Sequence, residues 1–280
     1  MTRRLSFTLL ATHLATLLAA CGAAAPSSPP LAPSPPSASS SGPASAQTSS
    51  PATGGDSVRP AQRRAAEILE AAITATGGRD AKRAMVALQG RGRARLVQLG
   101  LTGEVTWLWA APRRMKTTLE LGRLGTVANG TDGQVVWDQG PMQAPRRIVG
   151  DEAARRLREA TFHGELDWKE LWSKVEVTGA TTIDGAAADT VVATAADGQT
   201  MTLHFSRDSK LLVATEAEVE GPAGRVRART TFHDYRVVGA VRLPFRTVVE
   251  QGPVTVELSF DELTPNPTLA ADAFALPPGV

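Results

Sequence analysis

Glu216-Ala-Glu-Val-Glu-Gly-Pro-Ala-Gly-Arg-Val-Arg-Ala-Arg229 is the stretch that decides the fold, because its charged and its apolar residues predict the same alignment. If Gly221 to Gly224 forms the loop of an antiparallel hairpin, three pairs of opposite charge result: Glu220 with Arg225, Glu218 with Arg227, and Glu216 with Arg229. The same register pairs Val219 with Val226 and Ala217 with Ala228 on the other face. The sequence therefore predicts an antiparallel sheet with one wet face and one dry face.

Alternating apolar residues on both sides of this hairpin predict further strands, separated by turn signals such as Asp132-Gly133 and Asp197-Gly198. The residues that share a face in these strands are Val105, Trp107 and Trp109; Met115, Thr117, Leu119 and Leu121; Val135 and Trp137; Met201, Leu203 and Phe205; Val226, Ala228, Thr230 and Phe232; Leu243, Phe245, Thr247 and Val249; and Val254, Val256, Leu258 and Phe260. A strand over Leu88–Leu96 carries Gly90, Gly92 and Ala94 on its apolar face. We expect these small residues to let a helix or a ligand approach the sheet closely.

Helical segments supply cover for the dry face, which a one-sided sheet requires. A first helix begins near Ser57, has Pro60 in its first turn and ends at Gly77-Gly78. The β pattern breaks again from Gly150 to Trp172, where we predict two short helices. We expect these central helices to form a lid over the sheet, with the apolar residues Leu157, Trp168, Leu171 and Trp172.

The N-terminus has the pattern of a secretory signal: Arg3 and Arg4 precede an apolar run that ends in Leu18-Ala19-Ala20-Cys21. Leu-Ala-Ala before a cysteine resembles the bacterial lipobox, in which the chain is cleaved directly before the cysteine and the cysteine is acylated. This predicts a lipoprotein signal peptide over residues 1–20 and lipid attachment at Cys21. An ordinary signal peptide with a free cysteine is the alternative. A membrane-spanning helix is disfavoured because the run has about 16 residues, where a span needs roughly 20.

Composition divides the rest of the chain into a tether and a globular domain. Residues 21–58 consist of the lipidated cysteine and a stretch rich in Ala, Pro, Ser and Gly, which predicts a disordered tether. Residues 59–280 have ordinary globular composition and suffice for one domain. Cys21 is the sole cysteine, which excludes intramolecular disulfides and Cys-ligated zinc. The net charge is +2, and loss of Arg3 and Arg4 makes it zero, so nothing favours nucleic acid as a partner.

The organisation of the domain resembles the LolA/LolB-type superfamily of outer-membrane lipoprotein-sorting and lipid-carrier proteins. The C-terminal region carries most of the likeness, through Phe232-His-Asp-Tyr235, Val241-Arg-Leu-Pro-Phe245, Asn266, Leu269 and Phe274-Ala-Leu-Pro277. The resemblance implies a mainly β (α+β) domain: an unclosed antiparallel half-barrel of about eleven strands, with an N-terminal helix and a mid-chain helical lid. It also implies a non-enzymatic protein without a cofactor, whose hydrophobic cavity takes the acyl chains of a lipid or of an acylated protein.

The residues that face inward in the predicted strands are candidates for the wall of this cavity: Val105, Trp107, Trp109, Leu119, Leu121, Trp137, Met201, Leu203 and Phe205. The same residues could equally fill an ordinary core, since aromatic side chains on a dry face usually do so. Gly22 after the cysteine implies release to the outer membrane, on its periplasmic side, with the outer leaflet of the inner membrane as the alternative.

A rival interpretation makes the domain an envelope sensor or scaffold, which would use the exposed Arg/Glu hairpin face for a protein partner. The histidines give no support to a metal site or a hydrolase. Alternation places His204 and His233 on the wet face, and we expect His163 and both of these to be solvated or hydrogen-bonded. Asp167 and Glu170 fit the polar side of a helix better than a pair of glycosidase carboxylates.

Overall fold

A computed structural model describes residues 55–221 and 224–280. The predicted signal peptide, Cys21 and residues 22–54 of the tether lie outside the described residues. The first helix begins at Gly55, inside the stretch that composition assigns to the tether. Across the described ranges, no helix combines the length and the apolar character that a membrane span requires.

The described chain forms four α-helices and thirteen strands. The helices are α1 (Gly55–Ala75), α2 (Gly78–Ala84), α3 (Gly150–Glu159) and α4 (Trp168–Leu171). The strands are β1 (Ala87–Leu96), β2 (Leu101–Ala110), β3 (Arg114–Glu120), β4 (Thr126–Thr131), β5 (Val136–Gln139), β6 (Arg146–Ile148), β7 (Trp172–Ile183), β8 (Ala186–Ala195), β9 (Thr200–Ser206), β10 (Leu212–Gly221), β11 (Gly224–Val238), β12 (Val241–Gln251) and β13 (Val254–Pro265).

All thirteen strands belong to one antiparallel sheet in the order β6-β5-β4-β3-β2-β1-β13-β12-β11-β10-β9-β8-β7. The sheet consists of two meanders that join where β1 pairs with β13, and it is not closed into a barrel. The edge strands β6 and β7 are consecutive in the chain, so their connection, which contains α3 and α4, runs from one edge to the other. This confirms the predicted half-barrel, with thirteen strands instead of about eleven; the short β6 and the alanine-rich β8 give weak alternation in the sequence.

The hairpin of β10 and β11 has the predicted register. Glu216 pairs with Arg229, Glu218 with Arg227 and Glu220 with Arg225, while Val219 pairs with Val226 and Ala217 with Ala228. The ion pairs shift diagonally, since the Arg227 guanidinium contacts the Glu216 carboxylate rather than that of its direct partner. The alignment that opposite charges and apolar pairs predict together is thus confirmed.

The dry face carries two hydrophobic clusters. The first packs strands β1 to β3, β12 and β13 around Trp109, Leu119 and Leu258. The second packs Ile68, Leu69 and Ile73 of α1 against β7, β8 and β9. The expectation for Gly90 and Gly92 is wrong, because neighbouring strands, not a helix or ligand, occupy the space beside them. A Cβ on Gly90 would lie 2.9 Å from the Phe260 ring and from the Leu263 side chain, and a Cβ on Gly92 would lie 2.1 Å from the Ser259 carbonyl oxygen.

A second short helix, α2, follows the first where a simple end was predicted at Gly77-Gly78. Gly77 has φ of +117° and approaches β12 so closely that a Cβ there would lie 2.4 Å from the Ala240 carbonyl oxygen. The chain therefore turns at the glycine pair and continues as α2 before it enters β1. Lys82 of α2 is buried, with 2% of its surface exposed, and points toward the space under α1.

Candidate ligand-binding site

Helix α3 lies across the opening of the half-barrel and contacts both halves of the sheet through arginines. The Nη2 atom of Arg156 lies 3.5 Å from Oδ2 of Asp138 on β5. Arg158 lies 2.6 Å from the Asp197 carboxylate and donates to the Gln199 side chain at 2.6 Å, both at the turn between β8 and β9. The helix has acidic residues in its first turn and basic residues in its last turn, and both interact favourably with the helix dipole.

A cleft of about 380 Å³ lies between α3 and the strands β8 to β11. Its wall is rich in charged groups of both signs, most of which come from α3. The lining residues are Asp151, Glu152, Arg155, Arg158, Glu159, Trp172, Ala195, Asp197, Gly198, Gln199, Thr200, Met201, Ala217, Glu218, Val219 and Arg225. The α3 side of the cleft is internally paired, since Arg155 donates to the Glu159 carboxylate at 2.7 Å.

A second, mainly apolar cavity of about 80 Å³ lies under α1. Its lining residues are Leu69, Ala72, Ile73, Thr76, Lys82, Glu165, Trp168, Trp172, Met201, Leu203, Phe205, Leu212, Tyr235 and Arg242. One ion pair lies at its wall, where the Lys82 ammonium donates to the Glu165 carboxylate at 2.6 Å. Burial raises the pKa of Tyr235, whose hydroxyl donates to the Leu212 carbonyl at 2.7 Å.

Trp172 and Met201 line both the cleft and the apolar cavity. The two spaces are therefore adjacent, with an indole and a thioether between them. Methionine is flexible and adapts its shape to its surroundings, so this boundary is suited to a ligand that enters from one space into the other. An amphiphile has the same division, with a polar end and an apolar chain.

The predicted cavity wall divides between the two halves of the sheet. Val105, Trp107, Trp109, Leu119 and Leu121 belong to the first hydrophobic cluster, which also contains Ala160 and Phe162 from the chain after α3. The ring of Phe162 lies 4.7 Å from that of Trp109, and the Trp109 indole N–H donates to the Ala160 carbonyl at 2.8 Å. Met201, Leu203 and Phe205 instead line the apolar cavity under α1.

Trp137 lies on the opposite face of the sheet from Trp107 and Trp109. Its position in the predicted wall is wrong because the register places Val136 and Asp138, not Trp137, on the same face as Trp107 and Trp109. The Trp137 indole packs over Gly130, where a Cβ would lie 3.2 Å from the ring. Gly130 provides the space for the indole on the outer face.

The predicted lid residues have different environments. Leu157 is half-buried, and the buried side chains of α3 are those of Arg156 and Glu159, so charged side chains make the buried contacts of this helix. Trp168 and Leu171 on α4 are buried, and Trp172 begins β7. The Trp168 indole N–H donates to Glu70 of α1 at 3.1 Å.

Glu70 of α1 forms side-chain hydrogen bonds to both α2 and α4. Its carboxylate accepts from Arg79 of α2 at 2.6 Å as well as from Trp168 of α4. The hydrogen bond from Arg79 lowers the pKa of Glu70. The apolar pattern of the sequence indicates neither this polar contact nor the residues Lys82, Arg156 and Asp138. For Asp138, the available signal is a charged residue at an inward-facing position of β5.

His204 does not face water, contrary to prediction. It lies on the outer face but is 6% exposed, because the side chains of the neighbouring strands cover it. Its Nδ1 lies 3.2 Å from the Thr190 hydroxyl, and Glu216 lies 3.8 Å from its Nε2. Burial lowers the pKa of His204, and Arg229 and Arg227 act in the same direction against the opposing effect of Glu216. His163 and His233 are hydrogen-bonded, His163 through Nε2 to the carbonyls of Lys82 and Met85 and His233 to the Thr231 hydroxyl.

Chain comparisons define the class of fold. No protein-family model matches the sequence, and no curated protein matches it either. Among solved structures, a DUF1329 family protein from Desulfovibrio piger ATCC 29098 superposes with a TM-score of 0.54 at 11% identity, covering 75% of this chain and 96% of the other. A domain from Vibrio parahaemolyticus that is named for outer membrane lipoprotein sorting superposes with a TM-score of 0.53 at 12% identity, covering 76% of this chain and 97% of the other.

These similarities identify an open β half-barrel with helices on its concave side. The chain has a LolA-like fold. Within the described ranges, no group of three histidine, cysteine, aspartate or glutamate side chains is placed to hold a metal ion.

Proposed function

We propose that this protein is an envelope lipoprotein that binds an acyl chain of a lipid, or of an acylated protein, between the helices and the sheet of its half-barrel. The ligand's chain would lie in the apolar cavity under α1 and its polar end in the cleft beneath α3. Binding rather than catalysis is the proposed activity. The LolA-like fold, shared with a domain named for lipoprotein sorting, supports this class of ligand.

The observation that carries the proposal is the adjacency of the two spaces at Trp172 and Met201. Burial of an acyl chain gains about 0.8 kcal/mol for each CH₂ group, and the polar end needs a place where it stays hydrated or paired. An apolar cavity next to a charged cleft meets both needs. A cavity of about 80 Å³ is short for a long chain, so binding requires α1 or α4 to move outward, and the paired contacts of Glu70 are the ones that this movement would break.

The anchor and the location form part of the same proposal. Acylation of Cys21 would hold the protein on a membrane, and Gly22 after it favours the periplasmic side of the outer membrane over the outer leaflet of the inner membrane. Residues 22–54 would then separate the domain from the bilayer. Release or uptake of a ligand at a membrane surface suits this arrangement.

Native mass spectrometry of the full chain, before and after extraction with organic solvent, tests the proposal. We expect a bound mass that the solvent removes, and uptake of an offered acyl lipid or acylated peptide by the extracted protein. No bound mass and no uptake of either probe would contradict the proposal. Capture of one stable envelope protein in place of lipid would favour the sensor or scaffold.

A matched pair of variants locates the ligand. Ala72→Phe places a ring in the apolar cavity, whereas Ala75→Phe makes the same change on α1 at a residue that does not line it. We expect uptake of the acyl probe to fall at least tenfold in Ala72→Phe and to stay within twofold of wild type in Ala75→Phe. Equal uptake by both folded variants would place the ligand elsewhere.

A further inference from the structure

Three side chains of β9 follow one another along the wall of the apolar cavity under α1. Met201, Leu203 and Phe205 are alternate residues of this strand, so they lie on one face of the sheet, and all three line the cavity. Met201 also lines the cleft under α3, and Phe205 lies at the other end of the series. The three side chains therefore mark the path of an acyl chain that enters the cavity from the cleft.

Phe205 also lines a further pocket, of about 60 Å³, on the other flank of α1. The α1 residues at the apolar cavity and those at the further pocket have the same helical spacing but occupy different flanks. They are Leu69, Ala72, Ile73 and Thr76 at the cavity, and Arg64, Glu67, Ile68 and Ala71 at the pocket. Among the described residues, Phe205 alone lines both spaces, so its ring lies at the boundary between them.

The surroundings change from apolar to charged at this ring. Beyond Phe205, the pocket is lined by Arg64 and Asp189, which lie 3.7 Å apart, and by Glu67 and Lys210. A CH₂ group gains little from such surroundings, because the charged groups beside it lose hydration. The ring is itself buried, with 5% of its surface exposed. The apolar path therefore ends at Phe205.

Strand β9 fixes the length of this path. Met201 and Phe205 are four residues apart, which at about 3.3 Å per residue in a strand gives roughly 13 Å. Carbon–carbon bonds of about 1.52 Å at angles near 111° advance an extended chain by about 1.25 Å per carbon, so the path holds about ten carbons. Both residues belong to one strand, so an outward movement of α1 or α4 widens the path without lengthening it.

We propose that Phe205 closes the far end of the acyl site and limits the ligand to chains of about twelve carbons, counted from a carbonyl carbon near Met201. The inference rests on the proposed function and adds the length of chain that is accepted. Carbons beyond this limit do not enter the apolar site and contribute no further affinity.

A series of ligands that differ only in chain length tests the proposal. The full chain, extracted with solvent, is titrated with 1-acyl-lysophosphatidylcholines of 8, 10, 12, 14 and 16 carbons, each below the concentration at which it forms micelles. We expect the affinity of wild type to rise about fourfold for each CH₂ group up to about twelve carbons. From there to 16 carbons, it should change by less than twofold.

Phe205→Ala should move the limit to longer chains. The thickness of an aromatic ring is about 3.5 Å, so its removal makes room for roughly two to three carbons. The step from 12 to 14 carbons should therefore raise the affinity of this variant about 15-fold. Phe260→Ala makes the same change at a phenylalanine that is also 5% exposed but belongs to the first hydrophobic cluster, and it should keep the wild-type limit.

Phe205→Leu removes less volume and should move the limit in the same direction, so it replaces the alanine variant if that variant does not fold. A wild-type affinity that rises through 16 carbons would overturn the proposal, as would a limit that Phe205→Ala and Phe205→Leu leave in place. An equal shift of the limit in Phe260→Ala would assign the effect to general loosening of the domain. These outcomes leave the proposed function intact, whereas binding of no lysolipid at any length contradicts that function as well.

Discussion

Arg158 of α3 contacts Asp197 at the turn between β8 and β9, with 2.6 Å between Nη1 and Oδ2. On the other side of the same helix, Arg156 approaches Asp138 of β5, so α3 is held to both halves of the sheet by charged groups rather than by an apolar face. The contact at Asp197 is half-exposed, with 28% of the Arg158 side chain and 41% of the Asp197 side chain accessible. The contact at Asp138 is buried at both ends. These two attachments should therefore differ in strength.

Arg158→Ala is expected to loosen α3 without unfolding the domain. An exposed ion pair contributes at most about 1 kcal/mol, so the global free energy of unfolding should hardly change. Local opening of α3 should become up to about fivefold more frequent, which hydrogen exchange of the amides in Gly150–Glu159 measures. Arg83→Ala, which removes the exposed ion pair with Asp167, is the control and should leave this exchange unchanged. Identical exchange in both variants would show that Arg158 does not hold the helix.

Asp138→Ala should destabilise the whole domain, because it leaves Arg156 buried at 3% exposure with Glu152 as its remaining partner. Loss of one member of a buried pair destabilises by about 3 kcal/mol or more, whereas replacement of both by apolar residues is often close to neutral. The double variant Asp138→Leu with Arg156→Met should therefore be more stable than Asp138→Ala. Urea denaturation measures both, and a double variant as unstable as the single one would mean that the pair itself contributes most of the stability.

The sequence predicted the sheet well where two independent patterns agreed. In the β10–β11 hairpin, opposite charges on one face and apolar pairs on the other are compatible with one register only, and Glu218 does lie opposite Arg227. At β5 the sequence offers alternation alone, and alternation counted from Val135 instead of Val136 places Trp137 on the wrong face. A shift by one residue reverses every side chain of a strand.

The site was harder to predict because it depends on the path of the chain between the two edges of the sheet. Phe162 fills the space in front of Trp109, and nothing in the local sequence determines how far a connecting segment enters the half-barrel. Likewise, Gly92 lies at an irregularity of the β1–β13 pairing, where the Ser259 carbonyl takes the place of a side chain. Such features arise from contacts between residues far apart in the chain. The periodicity of the sequence does not indicate these contacts.

Buried His204 and half-buried His233 should make the stability of the domain depend on pH. Burial lowers the pKa of both His204 and His233 in the folded protein, while the unfolded chain titrates near the ordinary value of about 6.5. The unfolded state therefore binds more protons below that value, so the stability is full above about pH 6.5 and is lost as the pH falls from there toward the lowered pKa values. Asp184 and Glu216 reduce the effect, because each favours the protonated form of the histidine beside it.

Urea denaturation of wild type and of a double variant, His204→Gln with His233→Gln, between pH 5 and pH 8 measures this dependence. The slope between pH 5 and pH 6.5 should be smaller in the double variant, and the two proteins should run parallel above pH 7. A slope that both proteins share would assign the acid sensitivity to carboxylates instead.

Asn266 connects the end of the sheet to its beginning, and its replacement should be among the most damaging changes at an exposed position. Its backbone has φ of +48°, which asparagine tolerates better than most residues, and its Oδ1 accepts from the N–H groups of Val86 and Ala87 at 2.7 and 3.2 Å. Its Nδ2 donates to the Ala84 carbonyl at 3.0 Å. Asn266→Ala loses all three bonds and strains the backbone, so we expect a loss of about 2 kcal/mol or more.

Two further substitutions at this position separate the hydrogen bonds from the backbone conformation. Asn266→Asp keeps the acceptor and loses the donor, and Asn266→Gly loses every side-chain bond but adopts a positive φ without strain. The destabilisation measured by urea should therefore increase from Asp through Gly to Ala. If Gly were as stable as wild type, the side-chain bonds would contribute nothing, and the residue would be required for its backbone conformation alone.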